Sequence, residues 1–234
     1  MKIKGLQKTT LIDYPGEVAC TIFLFGCNFR CGFCHNPELV LKDEGLNISE
    51  KEILGFLDKR KDYLEGICIT GGEPLMTIEK NFLKEVKNLG YKIKLDTNGS
   101  FPDKLKEFID EKLINFISMD IKSGKEKYKD ITNSEIDVSL IEKSIRIIAD
   151  SKLDYEFRTT IIEEFHDKKE IINIAKWLNE LIKEKPKKYI LQGFKNYGKF
   201  IDPSFRMKDN TSEKYLNELK NEINDYFKEI EIRY

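Results

Sequence analysis

The chain has 234 residues, 40% of them hydrophobic and 35% charged, with 40 basic and 41 acidic side chains. That length supports one compact domain with a real core, two small domains being the alternative, and the composition excludes a disordered chain. A net charge of -1 argues against a dedicated nucleic-acid binder, and no run approaches the roughly 18 apolar residues of a membrane span. The N-terminus lacks a signal-peptide apolar region, so a cytoplasmic location is expected.

In chain order, residues 17–26 read as a strand rich in β-branched and aromatic residues. Residues 49–60 read as a helix, with Ser49 as N-cap and Glu52 three residues on. A short buried strand at 66–70 runs into Gly71-Gly72, and helical spacing over 77–89 stops at Gly90. A strand over 91–95 precedes Asp96-Thr97-Asn98-Gly99, and a short helix is expected over 102–110. Residues 115–121 form the next strand, and the polar run 124–137 reads as a long loop. Residues 138–151 follow as a helix, with Ile141, Ile145 and Ile148 on one face. A strand over 153–162, an amphipathic helix over 168–183, a strand over 188–191 and a closing helix over 212–227 complete the pattern. A second long loop spans 193–210. About six β–α units in succession argue for α/β architecture, a parallel sheet with outer helices, either an open doubly wound sheet or a barrel. The unusual residues cluster just after predicted strands, where such folds bind ligands.

Five cysteines are present, three of them within eight residues: Cys27, Cys31 and Cys34. Thiolates at C-x3-C-x2-C spacing can hold three irons of a cubane, which ordinarily takes four cysteines. Cys20 and Cys68 lie inside apolar strands and read as core residues, so one iron would be left for a ligand that is not protein. The alternative is zinc with His35 as fourth ligand, although zinc sites usually pair two cysteine pairs. Gly71-Gly72-Glu73-Pro74 and Asp96-Thr97-Asn98-Gly99 each read either as ordinary turns or as ligand-facing loops. Asp120 and Lys122 read either as a surface pair or as site residues. Arg158, set among apolar strand residues, needs a partner if it points inward. His166 reads as a solvated residue at a helix start, and Trp177 as core.

The cysteine spacing, with Phe33 before the last cysteine, resembles the signature of the radical S-adenosylmethionine superfamily. The sequence then resembles its GGEP, TNG and Asp-x-Lys elements at Gly71–Pro74, Thr97–Gly99 and Asp120–Lys122. The segment Gly5–Gly16, continued by Cys27–Cys31 and Cys34-His35-Asn36-Pro37-Glu38-Leu39, is similar to the anaerobic ribonucleoside-triphosphate reductase activating proteins, which are glycyl-radical enzyme activating enzymes. The resemblance implies a partial (β/α)6 TIM-like barrel over residues 1–234 as a single radical SAM domain. It implies a 4Fe-4S cluster on Cys27, Cys31 and Cys34, with S-adenosyl-L-methionine on the open iron. It further implies a cofactor-binding set of Phe33, Asn36, Gly71, Gly72, Glu73, Pro74, Thr97, Asn98, Asp120, Lys122 and Arg158, and a monovalent cation site at Asp96, Thr97 and Asp120. Where some relatives carry a histidine, this chain has Gln192, which stands in as the substitute on the adenosine side. The implied activity is hydrogen abstraction from a backbone glycine of a glycyl-radical enzyme, with anaerobic ribonucleotide reductase as partner. Reduced flavodoxin or a ferredoxin-type protein is the expected electron donor. The other readings are a radical enzyme acting on a small molecule and, from a different class, an iron–sulfur electron carrier or zinc-stabilised binding module.

Overall fold

A computed structural model describes residues 1–234. The elements run β1 (Ile3–Thr10), β2 (Ala19–Leu24), α1 (Glu50–Arg60), β3 (Gly66–Gly71), α2 (Pro74–Thr77), α3 (Lys80–Asn88), β4 (Lys92–Thr97), α4 (Pro102–Asp110) and β5 (Phe116–Asp120). They continue with α5 (Tyr128–Thr132), α6 (Val138–Asp150), β6 (Asp154–Ile161), α7 (Lys168–Leu181), β7 (Lys188–Gly193), α8 (Glu213–Ile223) and β8 (Glu229–Arg233). The strands make one sheet in chain order, and the fold class is α/β with a mostly parallel sheet.

Two compact units divide the chain. The first comprises residues 1–28, 36–97 and 103–117, and the second residues 29–35, 98–102 and 118–234. In the first, β1 is antiparallel to β2, while β2, β3 and β4 are parallel. Its core is an apolar stack of Ile22, Leu24, Ile67, Ile69, Ile93 and Leu95, all fully buried. Each such side chain contributes on the order of 1.5–3 kcal/mol by leaving water. The expected cap is present: the Ser49 hydroxyl accepts from the Glu52 N–H, and the Glu52 carboxylate accepts from the Ser49 N–H.

In the second unit β6, β7 and β8 are parallel. Asp167 caps α7 by accepting from the Glu170 N–H, 2.7 Å away, and Ile171, Ile174, Ala175 and Leu178 form its buried stripe. Trp177 is core, as expected. On β6, Glu156 is wholly buried. It receives the Ser118 hydroxyl at 2.8 Å and a bidentate pair from Arg233 at 2.8 and 2.7 Å. The last strand is thus bound to the middle of β6 by a part-buried ion pair and to β7 by its ladder.

Three readings of the sequence are corrected. The two outermost strands, β1 and β8, were not expected; β1 carries only two buried residues, at its ends. The run 124–137 is not all loop, because a 3-10 turn at Lys125–Lys127 leads into α5. His166 is not solvated but wholly buried.

Candidate active site

The first unit supplies one group of expected residues, and it is built by close backbone packing. A Cβ on Gly71 would strike the backbone of Leu24, and Gly71 has φ +122. A Cβ on Gly72 would strike the Gly26 carbonyl. Two glycines therefore let β3 end flush against the segment entering Cys27. The Gly72 N–H donates to the Leu24 carbonyl at 2.9 Å and the Glu73 N–H to the Gly26 carbonyl at 2.6 Å. The Glu73 side chain has no exposed surface. Its Oε1 accepts from the Leu75 N–H at 3.0 Å and the Thr97 hydroxyl at 2.8 Å. Glu73 thus caps α2, with Pro74 at its start, and ties the end of β3 to the end of β4. Asn36 precedes a 3-10 turn at Pro37–Leu39, whose Leu39 carbonyl accepts from the Gly26 N–H at 2.8 Å.

Asp96 sits one residue before Thr97 at the end of β4. Its carboxylate is bonded by the Lys94 ammonium, and Lys94 is only 2% exposed. The Cys68 thiol lies 3.7 Å from the same ammonium. Lys94 and Cys68 went unremarked as site residues in the sequence because both belong to strand patterns. Burial pushes the Cys20 thiol up to about 12, in keeping with a core residue.

The second unit supplies the other group, which is built from charge. Asp120 ends β5, and its two oxygens are taken by Arg158 Nε and by Lys122 Nζ, the latter at 2.8 Å. Burial opposes its ionisation, but Arg158 and Lys122 outweigh that and hold the Asp120 carboxyl well below the usual carboxylate range. Burial likewise disfavours the Lys122 ammonium, yet Asp120 and the Cys31 sulfur drive its pKa upward. Asp120 and Lys122 are therefore partners in a recessed cluster, not a solvated surface pair. Gln192 pairs in register with Thr160 on β6 and Arg233 on β8, so it shares a sheet face with Arg158, two residues before Thr160. Asn98 and Ser100 form a local turn in which the Asn98 side-chain Oδ1 accepts from the Ser100 N–H at 2.9 Å.

Cys31 and Cys34 lie in the same unit. The Cys34 N–H donates to the Cys31 carbonyl at 3.0 Å, the Asp202 N–H to the Gly32 carbonyl at 3.0 Å and the Ile201 N–H to the Cys34 carbonyl at 3.2 Å. The loop after β7 thereby straps the cysteine segment down. Phe33 packs on Phe205, with ring centroids 6.2 Å apart, and Phe205 in turn meets Phe165, Phe194 and Phe200. A cleft of about 550 Å³ opens beside Phe33, lined among others by Arg30, Lys127, Glu164, Phe165 and Phe205.

All five cysteines are thiols without disulfide partners, as ligation requires. No three His, Cys, Asp or Glu side chains gather at single-ion spacing, and the His35 ring packs on Tyr197. Zinc would demand donors within about 2.3 Å of one centre, whereas a cubane spreads its thiolates over separate irons. The donor chemistry fits the cluster better than the zinc alternative. The carboxylates expected around a monovalent cation are already compensated: Asp96 by Lys94, Asp120 by Arg158 and Lys122.

The profile of the radical SAM superfamily matches residues 21–178. "Putative glycyl-radical enzyme activating enzyme MJ1227" of Methanocaldococcus jannaschii is 30% identical over 240 residues, covering 99% of this chain and 95% of that protein. The pyruvate formate-lyase-activating enzyme of Clostridium pasteurianum is 27% identical over 237 residues, covering 93% and 98%. Among solved structures, Streptococcus suis SuiB bound to S-adenosylmethionine matches with a TM-score of 0.70 at 15% identity over 91% of this chain. The chain spans about half of SuiB, 49% of its length. A domain of pyruvate-formate lyase-activating enzyme from Bacteroides vulgatus matches with a TM-score of 0.56 at 23% identity, covering 72% of this chain and 99% of that one. Both structures show the fold. The chain belongs to the radical SAM superfamily and, within it, to the glycyl-radical enzyme activating enzymes, whose cofactors are a 4Fe-4S cluster and S-adenosylmethionine.

Proposed function

We propose that this enzyme activates an anaerobic ribonucleoside-triphosphate reductase, using residues 1–234 as one radical SAM domain. The observation that carries the activase reading is its relationship to an activating enzyme along 99% of the chain. The choice of reductase rests on the segment Gly5–Gly16 and its continuation through the cysteines. Cys27, Cys31 and Cys34 hold the cluster and leave one iron for the amine and carboxylate of S-adenosylmethionine. Bound there and supplied with one electron, the cluster and cofactor would provide the one-electron chemistry needed to remove a hydrogen atom from a glycine Cα.

The chain's own residues do the rest. The Gly71–Pro74 turn packs flush against the segment entering Cys27, and Glu73 fixes its shape from within. Arg158, Lys122 and Asp120 carry a net positive charge, suited to the cofactor's carboxylate. Phe33, Asn36, Thr97, Asn98 and Gln192 complete the cofactor contacts. The cleft beside Phe33 is large enough for a short polypeptide segment, in keeping with a protein substrate. A reduced flavodoxin or ferredoxin-type protein supplies the electron.

The test mixes the anaerobically reconstituted, reduced protein with S-adenosylmethionine and purified anaerobic reductase. A glycyl doublet in the electron paramagnetic resonance spectrum, with one 5′-deoxyadenosine per radical, is expected. A doublet with pyruvate formate-lyase and none with the reductase would overturn the choice of partner. Cys31→Ala is expected to lose both the four-iron cluster and 5′-deoxyadenosine formation; near-normal cleavage would overturn the ligand assignment.

A further inference from the structure

The turn after β5 carries Asp120 and Lys122, yet the backbone of Lys122 is held from outside the ion cluster. His166 is wholly buried, and both of its ring nitrogens meet backbone. The Ile162 N–H points at Nδ1 from 3.1 Å, so Nδ1 accepts. Nε2 then carries the proton and donates to the Lys122 carbonyl at 2.9 Å. Ile162 directly follows β6, the strand of Arg158. One imidazole thus joins the turn bearing Lys122 to the strand bearing Arg158. A second tie lies beside it: the buried Glu170 carboxylate accepts from the Gly124 N–H at 2.7 Å and pairs with Lys127 at 3.2 Å.

We propose that His166 is a positioning residue for the cofactor site, fixing Lys122 so that its ammonium, Asp120 and Arg158 keep the arrangement that receives S-adenosylmethionine. This rests on the reading that Asp120 and Lys122 bind that cofactor. The device works only with a neutral ring. A second proton would sit on Nδ1 and face the Ile162 N–H, so the turn would have to open. The charged groups acting on the ring are Glu170 of α7, which favours the proton, and Lys127, which opposes it; burial dominates and pulls the imidazole below its ordinary range. From α8, the Tyr215 hydroxyl donates to the His166 carbonyl at 3.0 Å and does not meet the ring.

Two measurements test it on the full chain. Without any cofactor, nitrogen-15 NMR of His166 is expected to show the neutral Nε2–H tautomer at pH 7; the Nδ1–H tautomer or an imidazolium would overturn the proposal. In the reconstituted protein, His166→Ala is expected to raise the Kd for S-adenosylmethionine about tenfold, or about 1.4 kcal/mol, with iron content unchanged. His166→Gln, which keeps a donor for Lys122, is expected to recover most of that loss. Wild-type affinity should hold at about pH 6.5, the ordinary imidazole value, and fall only at more acidic pH, because burial lowers this ring's pKa, while the glutamine variant stays flat. If His166→Ala proves unfolded, the glutamine variant and its pH profile decide, and a profile parallel to wild type overturns the proposal. His166→Ala with wild-type affinity, alongside a weakened Asp120→Ala, defeats the positioning role alone. If Asp120→Ala also binds normally, the reading beneath it fails too.

Discussion

The two groups of candidate site residues are built on different physics. Gly71–Thr97 is shaped by packing: glycines without room for a methyl, a carboxylate with no exposed surface and short backbone bonds. Asp120–Lys122–Arg158 is shaped by charge, in side chains that keep 14–26% of their surface exposed. A packed turn tolerates almost no substitution, because its neighbours cannot yield. A partly exposed charged cluster can rearrange toward water when one member is lost, so its loss should cost less in folding than a backbone collision does.

The largest expected effect therefore falls in the packed group. Gly71→Ala combines a disfavoured φ of +122 with a collision against Leu24. It should cost about 3 kcal/mol or more, lowering the Tm by roughly 6–12 °C in a chain of this size. Calorimetry of the unliganded protein reads this directly. A Tm unchanged within about 2 °C would mean that the β3 turn is not tightly packed, and the contrast between the two groups would fail.

Next comes Glu156, where charge is buried as deeply as packing. Glu156→Ala removes the bidentate partner of the Arg233 guanidinium, which is 29% exposed and keeps Glu231 at 2.7 Å from its Nε. We expect about 2–3 kcal/mol from urea unfolding, with the double variant Glu156→Ala/Arg233→Ala costing less than the sum of the two single changes. Simple additivity would show that the pair does not hold β8 to β6.

Asp120→Ala leaves Arg158 and Lys122 facing each other without their carboxylate, so it should cost about 1–3 kcal/mol of stability and weaken S-adenosylmethionine binding about tenfold with the cluster intact. Unchanged affinity would remove Asp120 from the site. The pH dependence sharpens the point. The Asp120 carboxyl titrates below its unfolded value, so its contribution is complete above about pH 4 and is lost as pH falls through the folded value. A decline in wild-type binding above about pH 4 must then come from another group, and His166, whose imidazole burial holds below its ordinary value, is a candidate.

What the sequence reveals follows the same division. Cysteine spacing, paired glycines and apolar strands are local signals, and β2 to β7 fall within a few residues of their expected places. Arg158 stood out because a charge in an apolar strand demands a partner. Glu156 meets Arg233 from 77 positions away, and nothing in either neighbourhood announces the other. His166 lies between Glu163, Glu164 and Asp167, so its surroundings in the chain are polar although its surroundings in space are not. The strand Lys92–Thr97 misleads most plainly. Alternation places Lys92 and Lys94 on one face, yet Lys92 is exposed and Lys94 is 2% exposed. The Asp96 carboxylate is one partner that offsets that burial, and a contact two residues along a strand is easily taken for solvent-side pairing.

Lys94 gives the smallest expected effect in the wild-type protein and the most discriminating one. A monovalent cation near Asp96 would have to displace an ammonium that already compensates the carboxylate inside a region poor in water. Replacing potassium by tetramethylammonium should therefore change S-adenosylmethionine affinity less than about twofold. Lys94→Met removes the internal cation and leaves Asp96 9% exposed with its charge uncompensated by that side chain. Affinity in this variant should come to depend on potassium, because an ion small enough to enter can then restore the balance. Strong potassium dependence in the wild type would mean that Asp96 releases Lys94 when the site fills. The packed group would then be electrostatically adjustable after all, and the distinction between a group set by shape and a group set by charge would have to be redrawn.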